Sequence, residues 1–249
     1  MTEIRIQVAE EVDRYLDAAV RNGLFTNKAE IARAALIQYM NSINLMSRNY
    51  DDELVFSPEG RLYQIEYARN AVSRGLTSVA MACSDGVVIC CEKMHAERTW
   101  MFKDGIRKIF ELGENIILTY SGMIVDGNLV TDSLRNKSFR NNTQLMEAIR
   151  QTYKPYLYER NTRPLGVGFL MGSTLEKPVV LYVDPSGSIT ECNVMAMGHG
   201  ADDAMKILEK TYKKMTVSKA VEFAIESLGK VANDKDNYEL RTLNAGGSK

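Results

Sequence analysis

Metal-binding chemistry finds little to work with in this sequence. Its 249 residues hold two histidines, His95 and His199, and four cysteines, Cys83, Cys90, Cys91 and Cys192, none in C-x-x-C spacing. A zinc site therefore has no ligand set, and nothing in the sequence calls for a cofactor. The cysteines lie in apolar, strand-like runs, where a thiol in a reducing compartment is a small buried residue. Net charge is scarce too. With 31 basic and 32 acidic side chains the balance is −1, so neither nucleic acid nor a membrane surface exerts a bulk attraction. No apolar run approaches the roughly 20 residues of a membrane span, and the opening MTEIRIQV lacks the apolar core of a signal peptide. Repeats and low-complexity tracts are also missing. The expectation is a cytoplasmic globular protein, with chain enough for one large core and a small appendage.

What is present begins with strict alternation. Ile4, Ile6 and Val8 share one face of a strand over residues 2–8, with Glu3, Arg5 and Gln7 on the other. Val12, Leu16, Ala19 and Val20 then form a helical face that Asn22-Gly23 closes. Asn27 and Glu30 have capping-box spacing ahead of a second helix, whose stripe of Ile31, Ala35, Leu36, Tyr39, Met40 and Ile43 should be buried. Residues 1–45 carry too little apolar material to close a core alone and read as a β-α-α module that must pair. It resembles a ribbon-helix-helix module, whose outward strand residues, here Glu3, Arg5 and Gln7, enter the DNA major groove in pairs. Arg and Gln suit guanine and adenine edges. The five basic and six acidic residues of 1–45 disfavour DNA as a partner, because the cationic footprint is missing.

Residues 44–55 read as a linker, and the domain of residues 46–249 follows. Ser57-Pro58-Glu59-Gly60 is a turn signal, after which Leu62, Ile65, Ala68 and Val72 mark a helix, taken as Pro58 to Arg74, that stops at Gly75. Thr77–Cys83 and Val87–Cys91 form a hairpin across Ser84-Asp85-Gly86. Further strands are expected at 107–112 and 115–120, helices at 123–140 and 143–160 with Asn142 or Thr143 as cap, and strands at 166–171, 179–183 and 188–197. Helices at 200–213 and 217–232 and a strand at 238–243 complete the order. Strands, two helices, strands, two helices and a strand suit an α+β four-layer αββα sandwich of two antiparallel sheets.

The segment FSPEGRLYQIEYA at 56–68, with Tyr120-Ser121-Gly122, Arg163-Pro164, Asp184-Pro185-Ser186-Gly187 and Leu208-Glu209-Lys210 in order after it, closely resembles the α-type subunits of proteasomes. That resemblance covers about residues 46–244 and implies the same sandwich. It also implies a non-catalytic subunit that scaffolds a ring of α-type copies and gates entry to a proteolytic core, with β subunits and an activator ATPase as partners. In the catalytic β type an N-terminal threonine attacks while its own freed amine takes the proton. Here Leu76 follows Gly75, and Thr77 comes one place late, where alternation points it to the opposite face. By the same resemblance Glu92 takes the place of an acidic residue near the nucleophile, His199 that of a serine, and Lys108 that of a lysine that α subunits use to dock an activator. Pro58 would sit in the turn an activator pushes, while Tyr50, Asp51 and Tyr67 would form the gate cluster. The alternative is a DNA-binding regulator that uses the sandwich to oligomerise. No catalytic residue and no metal ligand is expected. His199 reads as a cap for the helix beginning near Ala201.

Overall fold

The computed structural model describes residues 5–42, 54–93, 107–159, 161–231 and 237–245. The chain divides into two compact units, Met1–Glu53 and Leu54–Lys249.

In the first unit, α1 (Glu10–Arg21) carries Glu10, Glu11 and Asp13 in its first turn and Arg21 in its last, as the helix dipole favours. Gly23 beyond it adopts φ 71°, the left-handed conformation of a helix stop. The capping box opens α2 (Lys28–Ser42): the Glu30 N–H donates to Asn27 Oδ1 at 2.9 Å. Its reciprocal arm lands one residue early, with the Thr26 N–H donating to Glu30 Oε2 at 2.8 Å. Lys28 Nζ binds Asp13 at 2.7 Å and Asp17 at 2.9 Å, joining the two helices.

Two expectations for this unit fail in the single chain. Residues 5–9 form no strand, and residues 1–4 lie outside the described residues. A ribbon strand takes its hydrogen bonds from a partner strand, and one chain offers none. The α2 stripe is not buried either, with Leu36 at 40 % and Tyr39 at 62 % exposure, while Ile43 is outside the described residues.

The second unit begins with a hydrogen-bonded turn where a helix from Pro58 was expected. The Ser57 N–H donates to Arg61 O at 2.8 Å, the Arg61 N–H to Ser57 Oγ at 3.2 Å, and Gly60 takes φ 77°. Only then does α3 (Tyr63–Ser73) start, burying Ile65, Ala68 and Val72 as their spacing predicts. The hairpin is β1 (Ser78–Ala82) and β2 (Gly86–Glu92). It is followed by β3 (Ile109–Glu111), β4 (Ile116–Gly122), α4 (Ile124–Arg135) and α5 (Asn142–Tyr158). The α5 cap is Asn141, one place before the expected residue, its Oδ1 accepting the Gln144 N–H at 2.9 Å. Then come β5 (Val167–Ser173), β6 (Val179–Val183), β7 (Ile189–Cys192), β8 (Val194–Met197), α6 (Ala201–Thr211), α7 (Val217–Gly229) and β9 (Tyr238–Asn244).

The strands form two antiparallel sheets, ordered β8-β1-β2-β9 and β3-β4-β5-β6-β7. Three apolar layers hold them. One lies between the five-stranded sheet and α4 and α5, around Leu134, Ile149, Tyr153 and Phe169. A second lies between the four-stranded sheet and α6 and α7, around Val79, Val88, Leu208 and Ala224. The third, with Ile89, Ile117, Leu170 and Val180, joins the sheets face to face. Three cores require four layers, and strands β1, β2 and β5 are buried throughout for that reason. No helix among the described residues is long and apolar enough to cross a membrane.

Two carboxylates tie the layers together. Burial alone would push Asp126 up. Arg163, at 2.7 and 2.8 Å, and the Gly166 N–H at 2.8 Å outweigh it and hold the carboxyl below the usual range. Asp184 is likewise held low against its burial, by Arg69 of α3 at 3.0 Å and the Ser186 N–H at 2.9 Å.

Candidate functional site

The junction between α3 and β1 gathers several of the sandwich's buried polar groups, Thr77, Ser78, Glu92 and Ser121 among them. Gly75 ends the helix against β4: a Cβ there would stand 2.1 Å from Ser121 Oγ, whose hydroxyl donates to Val72 O at 2.8 Å. Gly198, at φ 98°, lets the β8–α6 turn pass so close that a Cβ would meet Leu76 O at 2.4 Å. These two glycines bring His199, Thr77 and Glu92 together.

Thr77 is fully buried. Its peptide N–H donates to Glu92 Oε2 at 3.2 Å, and the Glu92 N–H donates back to Thr77 O at 2.8 Å. Thr77 Oγ1 lies 3.5 Å from His199 Nδ1, and His199 Nε2 lies 3.6 Å from the Glu92 carboxylate, itself 2 % exposed. The sequence reading kept Thr77 apart from these groups and missed the constellation. Hydroxyl, imidazole and carboxylate lie in the order of a nucleophile triad, but the hydrogen bonds run otherwise. Nδ1 is also 3.2 Å from Gly75 O, which can only accept, so that nitrogen carries its proton and is no base toward Thr77. Thr77 Oγ1 accepts the Gly200 N–H at 3.0 Å, and the nitrogen of Thr77 is a peptide nitrogen. The arrangement ties α3, β1, β2 and α6 together. His199 does not cap α6: Gly200 is the N-cap, and the His199 N–H donates backward to Gly75 O at 2.8 Å.

Lys108 stands just before β3 and is half-buried. Its backbone N–H donates to Glu239 Oε2 of β9 at 2.8 Å. Its Nζ donates to Tyr120 O at 3.4 Å and lies 5.5 Å from the centroid of the Tyr120 ring. Burial pushes the ammonium down, and the carboxylates of Glu239 and Glu92 offset this only in part. The cysteines do not add a thiolate. Burial raises Cys83, Cys91 and Cys192 to about 11 each, and Cys90 further.

The remaining expected site residues are scattered. Pro58 is exposed in the turn before α3, and Tyr67 is 41 % exposed on that helix. Arg5 and Gln7 are exposed, while Tyr50, Asp51 and Glu3 lie outside the described residues. Among the described residues no group of three or more His, Cys, Asp or Glu could hold a metal ion.

A two-sheet sandwich whose first hairpin carries Thr77, Glu92 and, beyond it, Lys108 around one buried junction defines a class of protein, and comparison with known sequences agrees. The family model described as proteasome subunit matches residues 72–245, and the model of the N-terminal signature of A-type proteasome subunits matches residues 50–71. Curated relatives include the proteasome alpha subunit of Thermococcus sibiricus, 34 % identical over 72 % of this chain and 73 % of the relative. That of Methanococcus maripaludis is 32 % identical over 78 % and 79 %. That of Methanobrevibacter smithii is 30 % identical over 81 % and 86 %. The chain belongs to the proteasome subunit family, and within it to the α type.

Proposed function

We propose that this chain is a non-catalytic α-type subunit of a proteasome core, a scaffold that builds a ring with other copies and governs entry to a chamber whose cleaving residues β subunits supply. The observation that supports it most is the state of Thr77: buried, its nitrogen within a peptide bond, its hydroxyl accepting from Gly200, and the residue before it Leu76. A threonine nucleophile needs hydroxyl and free amine on one accessible terminal residue. Lys108 keeps a second role, receiving the C-terminal carboxylate of an activator, with Pro58 in the turn that activator displaces. Tyr67, Tyr50 and Asp51 serve the gate.

Residues 1–45 act first as a pairing module. Val12, Tyr15, Leu36 and Tyr39 are exposed in the single chain at 40–72 %, as the faces of an unpaired ribbon-helix-helix unit would be. DNA is disfavoured, since the acidic first turn of α1 sits beside Arg5 and Gln7 in sequence and would repel phosphates. The protein is assigned to the cytoplasm.

The test is peptide hydrolysis together with assembly. The purified full-length chain should show no peptidase activity and an intact mass equal to its sequence, and should co-assemble with a proteasome β subunit in native mass spectrometry. Turnover abolished by Thr77→Ala would overturn the reading.

A further inference from the structure

The outer face of α5 carries a groove of about 360 Å³ that the sandwich does not use, walled by Glu147, Arg150, Lys154, Leu157 and Tyr158 of the helix and by Ser186 and Gly187 of the β6–β7 turn, two cations against one carboxylate. Its two ends differ in chemistry. At one end Lys154 is exposed, and Arg150 has only a loose contact, 3.9 Å, with the exposed Glu147. At the other end Leu157 is half-buried and the Tyr158 ring is 81 % exposed. The floor is rigid: Gly187 packs where a Cβ would touch Leu157 at 3.1 Å, and Asp184 Oδ2 holds the turn through the Ser186 N–H. A cationic end followed by an apolar end fits an extended segment with acidic residues followed by an aromatic one.

This chain has such a segment. Asp51-Asp52-Glu53 is its one run of three consecutive acidic residues, and Leu54-Val55-Phe56 follows directly. Phe56 is 69 % exposed and Val55 39 %, so neither is seated in the groove of its own chain. Yet Phe56 is held at its base, because Ser57 is buried and bonded to Arg61 on both its N–H and its hydroxyl. A large aromatic presented on a fixed turn loses little entropy on docking.

We propose that the segment Asp52–Phe56 of one copy docks into the α5 groove of the next, the carboxylates of Asp52 and Glu53 against Arg150 and Lys154 and Phe56 against Leu157 and Tyr158. The two surfaces are different parts of the chain, so the contact is head-to-tail and each copy both gives and receives one. Such contacts propagate around a closed ring. The proposal rests on the reading of the chain as a member of a ring, and it supplies that ring with a named contact.

Disulfide trapping tests it, with Val55→Cys and Ser186→Cys chosen because they leave Phe56, Tyr158 and the charges in place. The native thiols give little background, since Cys83, Cys90 and Cys91 are buried and Cys192 is half-buried. On mild oxidation the double variant should give a ladder of covalent oligomers. Each single variant should give none, and a mixture of the two should give a covalent pair. Arg150→Glu with Lys154→Glu should weaken assembly by about tenfold or more, and Asp52→Lys with Glu53→Lys on the same chain should restore it. Rings of normal size without cross-links, or without rescue, would overturn the docking while leaving the ring reading intact. A wild-type chain that forms no ring alone or with β subunits would remove both.

Discussion

The two units of this chain spend their apolar residues in opposite ways. In the sandwich, β1, β2 and β5 are buried along their whole length between three cores. In the N-terminal unit α1 has no buried residue, and Ile6, Val8, Tyr15, Leu24 and Ile37 stand 43–72 % exposed. A sandwich of this size closes its own core. Two short helices cannot, and the side chains that would make theirs face outward. Each fully buried Leu, Ile or Val contributes about 1.5–3 kcal/mol relative to exposure, so a second copy of residues 1–45 has much to offer the first. On the pairing proposed for residues 1–45, stability in one unit is a property of the single chain, and in the other a property of association.

The sharpest way to widen that contrast is to cut into the sandwich. Phe169 is fully buried and meets the Tyr120 ring edge-on at 5.7 Å. Phe169→Ala should cost about 3–5 kcal/mol in urea unfolding of the full chain. A loss below about 1 kcal/mol would mean that the core collapses around the gap.

Acid should act next, most clearly through two carboxyls of the sandwich. The carboxyls of Asp126 and Asp184 are held low in the folded state, so the unfolded chain takes up protons first as the pH falls. Their contribution is complete above the ordinary carboxylate range near pH 4, and is lost as the pH drops through their folded values. Asp126→Asn should cost about 1–3 kcal/mol at neutral pH and flatten the decline below about pH 4. The same steep decline in the variant would assign the acid sensitivity elsewhere.

Lys108→Met tests a finer point. The change keeps the aliphatic stem and removes an ammonium that burial disfavours, so the melting temperature should rise slightly or stay level, with a stability change of less than about 1 kcal/mol. Activator binding should fall. A drop in melting temperature would show that the contacts to Tyr120 outweigh desolvation.

The smallest effect on single-chain stability belongs to Ile37→Ser in α2. The sandwich transition should move by under about 0.5 kcal/mol, while native mass spectrometry shows the same loss of paired species as deletion of residues 1–45. Unchanged stoichiometry in both would return the N-terminal unit to another role.

Local pattern carried most of the fold into view. The spacing of Ile65, Ala68 and Val72, the Ser84-Asp85-Gly86 turn and the two helix pairs follow from periods of 3.6 and 2 that neighbours in sequence impose. What stayed hidden depends on distant partners. Thr77 meets His199 across 122 positions, and no period encodes that approach. The half-burial of Lys108 left no mark in the sequence, because the groups that cover it, Tyr120 and Glu239, arrive on other strands. The start of α3 was misplaced because Ser57 satisfies the backbone of Arg61 itself and holds residues 57–61 in a turn. In α2 the stripe was read correctly as apolar and wrongly as covered, since a sequence does not say whether its cover comes from the same molecule.

The bond after Gly75 also bears on how the protein survives among proteases. Its carbonyl accepts the His199 N–H, the next carbonyl has Gly198 pressed against it, and the helix before it is pinned by Arg69 to Asp184. A protease needs several residues of extended chain to fit its cleft, and this bond cannot supply them while the sandwich is folded. Cleavage there must wait for global opening, so its rate follows the equilibrium population of unfolded molecules. A trimming enzyme would sever the exposed connections elsewhere on the surface long before it reached this one.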